Sequence, residues 1–127
     1  MAKKITFKGM EIEEAKKLSL EKFMTYVPSK IRRSMKRMAS KMRKFIEKLR
    51  KTDPKKIIKT HLREMVIIPE MLDRRIQVYN GKDWVDIVIV PAMLGRRLGE
   101  YSNTIKMVKH SGPGIGATRG SKSVELK

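Results

Sequence analysis

Positive charge crowds the front of this chain. Of its 31 Lys and Arg residues, 17 lie within the first 52 of 127 positions, where only five acids accompany them, and the formal net charge is +18. Like charges at this density repel one another unless anions neutralise them. The front half can therefore bury only narrow apolar stripes, and it favours a polyanionic partner such as nucleic acid, which releases counterions on contact.

Apolar residues in the front half recur every three or four positions, the spacing of amphipathic helices. The pattern predicts three short helices, capped by Ser19, Ser29 and Ser40, and Pro28 ends the first of them. The apolar stripes are Leu20, Phe23, Met24 and Val27, then Ile31, Met35 and Met38, and finally Met42, Phe45, Ile46 and Leu49.

The opposite faces of the last two helices are almost purely basic. Residues 30–51 hold eleven Lys and Arg against one acid, Glu47. A solvated face usually mixes both signs, and a membrane-surface helix needs a broader apolar face, so we favour a phosphate partner over solvent alone or a membrane. We expect this region to order fully only when anions neutralise it. The candidate RNA contacts are Lys30, Arg32, Arg33, Lys36, Arg37, Arg43 and Lys44.

Two absences in the sequence restrict chemistry and location. The chain has no Cys, which excludes disulfides and zinc–thiolate sites and suits a reducing cytoplasm. No stretch approaches the roughly 18–20 apolar residues of a membrane span, and no signal-peptide pattern opens the sequence. We therefore expect a cytoplasmic protein with no membrane partner.

The sequence changes character at Asp53-Pro54, after which β-branched residues replace the Lys-rich helices. Residues 57–58 and 65–68 are predicted to be extended, and residues 74–79 and 83–90 alternate apolar and polar side chains. Asn80-Gly81 between the alternating runs is typical of a type I′ turn, so these runs should form a β-hairpin. Pro91 opens a predicted helical segment at 92–101.

These elements predict an α+β fold, with a small antiparallel three-stranded sheet and short helices as its core at 53–110. A basic helical N-terminal extension (1–52) precedes the core and a Gly-rich tail (111–127) follows it. The tail's four glycines fit neither a P-loop nor a dinucleotide fingerprint. Arg119 and Lys122 on an unbulky backbone suit close approach to RNA phosphates instead.

No catalytic constellation is apparent in the sequence. His61 and His110 have no second ligand at metal-binding spacing, and Asp83 and Asp86 should point to opposite faces of a strand. The serines of the tail do not sit in a nucleophile elbow. We predict a protein that is not an enzyme and that uses no metal or cofactor.

The hairpin and the residues after it carry a recognisable pattern. It consists of Asn80-Gly81-Lys82, Ile89, Leu94-Gly95, Leu98-Gly99-Glu100-Tyr101 and Thr104, preceded by Lys59-Thr60-His61-Leu62-Arg63 and Ile68-Pro69-Glu70-Met71. Residues 55–110 thereby resemble the universal small-subunit ribosomal protein nineteen family. The N-terminal extension and the Gly-rich tail resemble its archaeal and eukaryotic branch. The chain departs from the family pattern at Leu72-Asp73, where Val-Gly is usual, at Ser102-Asn103 and at Ile105.

The resemblance implies a structural protein of the small ribosomal subunit. It implies binding to the 3′ major (head) domain of small-subunit rRNA beside ribosomal protein thirteen, with tRNA and the intersubunit bridge nearby and the tail directed toward the decoding region. Two alternatives are a free-standing RNA chaperone or nucleoid-like protein, and a phosphoryl-handling enzyme. The further candidate RNA contacts are Lys59, Thr60, Arg63, Asn80, Gly81, Lys82, Gly95, Arg96, Arg97, Lys106, Lys109 and His110, with Arg119 and Lys122 in the tail.

Overall fold

The computed structural model describes residues 4–109 and residue 115. The predictions that concern His110, Arg119, Lys122 and the course of the tail lie outside these residues. Within residues 4–109 the chain combines helices with a three-stranded sheet, so the predicted α+β class is confirmed.

Four α-helices make up most of the front half: α1 (Ile12–Lys16), α2 (Leu20–Tyr26), α3 (Ser29–Arg37) and α4 (Ala39–Lys51). The three predicted helices are confirmed as α2, α3 and α4, and α1 is an addition. Ser19 caps α2 as predicted, since its hydroxyl accepts from the Lys22 amide at 3.4 Å. The capping roles predicted for Ser29 and Ser40 are wrong, because α3 begins at Ser29 and α4 at Ala39.

The sheet contains β1 (Ile58–Thr60), β2 (Arg75–Tyr79) and β3 (Trp84–Val88) in that order. The β2–β3 pair is the predicted antiparallel hairpin. The sheet is mixed rather than wholly antiparallel, because β1 pairs with β2 in parallel. The connection between them, residues 61–74, crosses over and returns the chain to the starting end of the sheet.

The hairpin loop differs from the predicted two-residue type I′ turn. Four residues, 80–83, separate the paired Tyr79 and Trp84. Gly81 has a φ of 101°, but Asn80 does not have the positive φ that a type I′ turn requires. The Asn80 side-chain oxygen instead accepts from the backbone amides of Lys82 at 2.9 Å and Asp83 at 2.7 Å. This side-chain bonding replaces the tighter turn.

The predicted helix at 92–101 is wrong. Two 3₁₀ turns, Pro91–Met93 and Leu98–Tyr101, flank a segment whose backbone pairs with residues 63–67. Ile67 donates to the Arg96 carbonyl at 2.8 Å and Leu98 donates to the Met65 carbonyl at 2.9 Å. A continuous helix could not make these bonds, because its own ladder would use the same groups.

One apolar cluster connects the front half to the sheet. Phe23 and Leu49 from the helices are buried in the same cluster as Met65, Ile76 and Leu98. The division of the chain into an N-terminal extension (1–52) and a core (53–110) stays a prediction. Among residues 4–109, no helix is long and apolar enough to cross a membrane.

Candidate nucleic-acid interface

The exposed face of α3 carries one row of cations. Lys30, Arg33 and Arg37 follow one another at i, i+3 and i+7, so they lie on the same side of the helix, and all three are exposed. Met35, on the other side, is buried in the core. The apolar stripe of α3 thus faces the core, and these three charges face solvent.

Arg32 does not belong to that row. Its Nε donates to the Met24 carbonyl at 2.8 Å, and one terminal nitrogen donates to the carbonyls of Thr25 and Val27, each at 3.1 Å. These oxygens lie at the end of α2, where helical carbonyls lack partners and a cation is favourable. The structure therefore uses Arg32 to hold α2 against α3.

Two other predicted contacts, Lys36 and Arg43, lie along an apolar groove of about 570 Å³ between α2, α3 and α4. Arg50 lines the same groove and forms a bidentate pair with Glu70, at 3.0 and 2.8 Å. Hydrogen bonding to Arg50 is the main reason that the pKa of Glu70 falls below its ordinary value. Arg50 is thus neutralised by Glu70, although its side chain is exposed like those of Lys36 and Arg43.

A second groove, of about 430 Å³, runs between α4 and β1. Lys41, Lys44 and Lys48 line it from α4 at i, i+3 and i+7, and Lys59 lines it from β1. The sequence analysis predicts Lys44 and Lys59 as RNA contacts but does not predict Lys41 and Lys48. Their shared helical spacing was the available signal. We refer to these four residues as the lysine groove.

A third concave surface lies beside the hairpin loop. The predicted residues Asn80, Gly81 and Lys82 line it together with Lys106, and its volume is about 430 Å³. The structure therefore brings together four predicted contacts that are up to 26 residues apart. Lys82 and Lys106 are both exposed on this surface, and Asp83 also lines it.

The side chains of Arg63 and Thr60 form hydrogen bonds within the fold. The two terminal nitrogens of Arg63 donate to the carbonyls of Tyr79, Gly99 and Ser102 and to the Ser102 hydroxyl. The Thr60 hydroxyl is buried and accepts from the Leu62 amide at 3.1 Å. Their predicted contacts with RNA stay predictions, but the described geometry gives both side chains a role in holding the fold.

The remaining predicted residues differ in their surroundings. Gly95 has a φ of 79°, a backbone conformation that favours glycine, so the turn itself accounts for this residue. Arg96 is exposed with a 4.0 Å approach to Glu100, and Arg97 is half-buried and donates to the Ser34 hydroxyl of α3 at 3.0 Å. Lys109 is exposed. Arg96 and Lys109 are therefore the two of these four with side chains directed at solvent.

Three aromatic side chains outside the predicted RNA contacts meet on the outer face of the sheet. For one of them, His61, the sequence leaves open an ordinary polar or an RNA-facing role. His61 and Tyr79 have ring centroids 4.8 Å apart, His61 and Trp84 4.9 Å, and Tyr79 and Trp84 5.2 Å. Strand alternation places Tyr79 and Trp84 on the face opposite the core. We call these three residues the aromatic trio. Across residues 4–109, no group of three His, Asp or Glu is placed to hold a metal ion.

Comparison with known proteins identifies close relatives. Residues 30–110 match the family model for ribosomal protein S19. The chain is 44% identical over 123 residues to small ribosomal subunit protein uS19 of Methanococcoides burtonii, covering 96% of this chain and 88% of that protein. It is 40% identical to the proteins of the same name from Methanoregula boonei, over 123 residues, and Thermoplasma acidophilum, over 127. Those matches cover 96% and 99% of this chain and 87% and 83% of the relatives. The similarity thus includes the basic helices as well as the sheet.

Proposed function

This chain belongs to the ribosomal protein S19 family, and from that premise we propose that it binds the 3′ major domain of small-subunit rRNA in the subunit head. Members of this family are structural constituents of the small ribosomal subunit in the cytoplasm. In that role the chain supports translation as an RNA-binding protein and not as an enzyme.

The observation that carries the proposal is the distribution of unneutralised cations over a folded core. The α3 row, the lysine groove and the surface beside the hairpin loop all direct exposed Lys or Arg side chains at solvent. Phosphate contacts from several surfaces fix the orientation of a protein on RNA, even though single contacts carry no sequence information. This arrangement suits a protein surrounded by folded rRNA.

The finer placement rests on the family resemblance. We propose ribosomal protein thirteen as a neighbour, with tRNA and the intersubunit bridge close by. The proposed direction of the tail, toward the decoding region, would give Arg119 and Lys122 a place near RNA phosphates.

Binding of the full chain to separate rRNA fragments tests this function. At near-physiological salt, the 3′ major domain should bind more tightly than a 5′ domain fragment of equal length. Equal affinity for both fragments would contradict the proposal and favour the free-standing RNA chaperone.

The α3 row can be tested by replacing Lys30, Arg33 and Arg37 together with Gln. We expect weaker binding and a salt dependence of log affinity that is shallower by roughly 0.7–0.9 for each lost phosphate contact. The matched control replaces Lys16, Lys56 and Arg75 with Gln. These three cations already pair with Asp73, Asp53 and Asp86, so the same change in net charge should affect the slope less. Equal slopes for the two triple variants would show that net charge, not the α3 row, governs binding.

A further inference from the structure

The aromatic trio lies next to the lysine groove. His61 belongs to both, because it lines the groove and also contacts Tyr79 and Trp84. The Lys59 ammonium lies 5.5 Å from the centroid of the Trp84 ring, within the range of a cation–π contact. An aromatic surface and a cationic surface thus meet along one edge.

A purely structural role accounts for only part of this arrangement. Tyr79 and Trp84 are paired across the hairpin, and such aromatic pairs stabilise antiparallel strands. That role does not require His61, which follows β1, is exposed and extends the aromatic surface toward the lysines. It also does not require four lysines to be the charged residues of the adjoining groove.

The chemistry of single-stranded RNA matches both surfaces. Every base offers a π face that stacks on His, Tyr or Trp, and every nucleotide also carries a phosphate for a nearby cation. The groove is shallow and open, which suits a strand that lies along the surface. Duplex RNA is a poorer match, because its bases are already stacked on one another.

We propose that the aromatic trio stacks one unpaired base of RNA while the lysine groove holds an adjacent phosphate. This inference deepens the proposed function and rests on it for the identity of the RNA. It adds His61, Tyr79 and Trp84 to the interface, together with Lys41 and Lys48.

Trp84 provides a direct test because it is the single tryptophan of the chain. Titration of the full chain with a single-stranded RNA octamer should quench its fluorescence saturably. Inorganic polyphosphate, a polyanion without bases, should bind with much less quenching. RNA binding without quenching, or equal quenching by polyphosphate, would overturn the stacking site.

His61→Ala is the main variant, since the side chain is exposed and lies outside the strands. We expect its affinity for the octamer, measured by anisotropy of labelled RNA, to fall about fivefold or more, with circular dichroism unchanged. Tyr26→Ala removes another exposed aromatic residue, away from the trio, and should leave affinity within twofold. Equal affinities for the two variants would count against stacking.

The stacking site and the proposed function can fail separately. Quenching and the His61→Ala loss report the stacking site, whereas preference for the 3′ major domain reports the proposed function. Loss of that preference with quenching intact would remove the ribosomal assignment of the RNA and keep the stacking site. An unquenched Trp84 with the preference for the 3′ major domain intact would remove the stacking site and keep the ribosomal assignment.

Discussion

Several arginines of this chain hold backbone carbonyls in place, whereas others, such as Arg33 and Arg37, face solvent. Arg32 and Arg63 donate to backbone carbonyls, and Arg74 likewise donates to the carbonyls of Leu49 and Thr52 at the end of α4. A planar guanidinium with five donors can satisfy several carbonyls at once. The sequence reveals the charge of these residues, but it does not reveal which carbonyls the fold will place beside them. From charge alone, the sequence therefore predicts Arg32 and Arg63 as RNA contacts.

Replacement of Arg63 by Met should destabilise the fold. The carbonyls of Tyr79, Gly99 and Ser102 would lose a charged donor inside the structure, and we expect the free energy of unfolding to fall by about 2–4 kcal/mol. Urea denaturation at fixed salt measures this. Arg33→Met, at an exposed position, should stay within about 0.5 kcal/mol of the unchanged protein. Equal losses would contradict an internal role for Arg63.

Asp73 shows how a departure from the family pattern is accommodated. It stands where the pattern has Gly and adopts a φ of 62°, in the left-handed region that favours Gly. Its carboxylate also pairs with Lys16 at 2.9 Å. The turn geometry expected of Gly is therefore kept by an Asp residue, a type that tolerates this conformation better than most.

Two variants of Asp73 isolate the backbone effect. Asp73→Gly and Asp73→Ala both remove the pair with Lys16, so they differ mainly in tolerance of positive φ. We expect the Gly variant to be more stable than the Ala variant by about 1 kcal/mol in thermal or urea unfolding. Equal stabilities would mean that residue 73 does not keep a left-handed conformation.

At the scale of elements, the sequence predicted what depends on local periodicity. The helices α2 to α4 and the β2–β3 hairpin follow from apolar spacing and were placed correctly. The parallel pairing of β1 with β2 depends on the crossover of residues 61–74, and no local pattern specifies that path. The 92–101 segment failed as a helix because pairing with residues 63–67 overrode its helical spacing. The aromatic trio likewise requires the pairing register, which brings Tyr79 opposite Trp84.

The packing of α4 bears on the prediction that anions are needed to order the front half. Its residues Met42, Phe45, Ile46 and Leu49 are all buried, despite the cations on the opposite face. This burial favours an α4 that is folded without RNA, while the predicted need for anions stays a prediction. Amide hydrogen exchange of the free protein should show protection in residues 43–50 comparable to that in β2. Protection confined to β2, with α4 exchanging as an unfolded chain, would support the prediction that anions are needed to order the front half.

At the scale of the whole molecule, one apolar core carries several basic surfaces. The core joins helices and sheet, while the α3 row, the lysine groove and the hairpin surface lie outside it. Such a design keeps the contact surfaces in fixed relative positions, which suits simultaneous contact with several segments of folded RNA. The overall charge of +18 was sufficient to predict a polyanion, and the family signature was needed to predict which one.

Binding to the 3′ major domain is best tested by ultraviolet crosslinking of the protein in cells that express it, followed by sequencing of the bound RNA. We expect crosslinks concentrated in the 3′ major domain of small-subunit rRNA, with crosslinked peptides from α3, the lysine groove and the hairpin loop. Crosslinks spread over many unrelated RNAs, without enrichment in that domain, would contradict it.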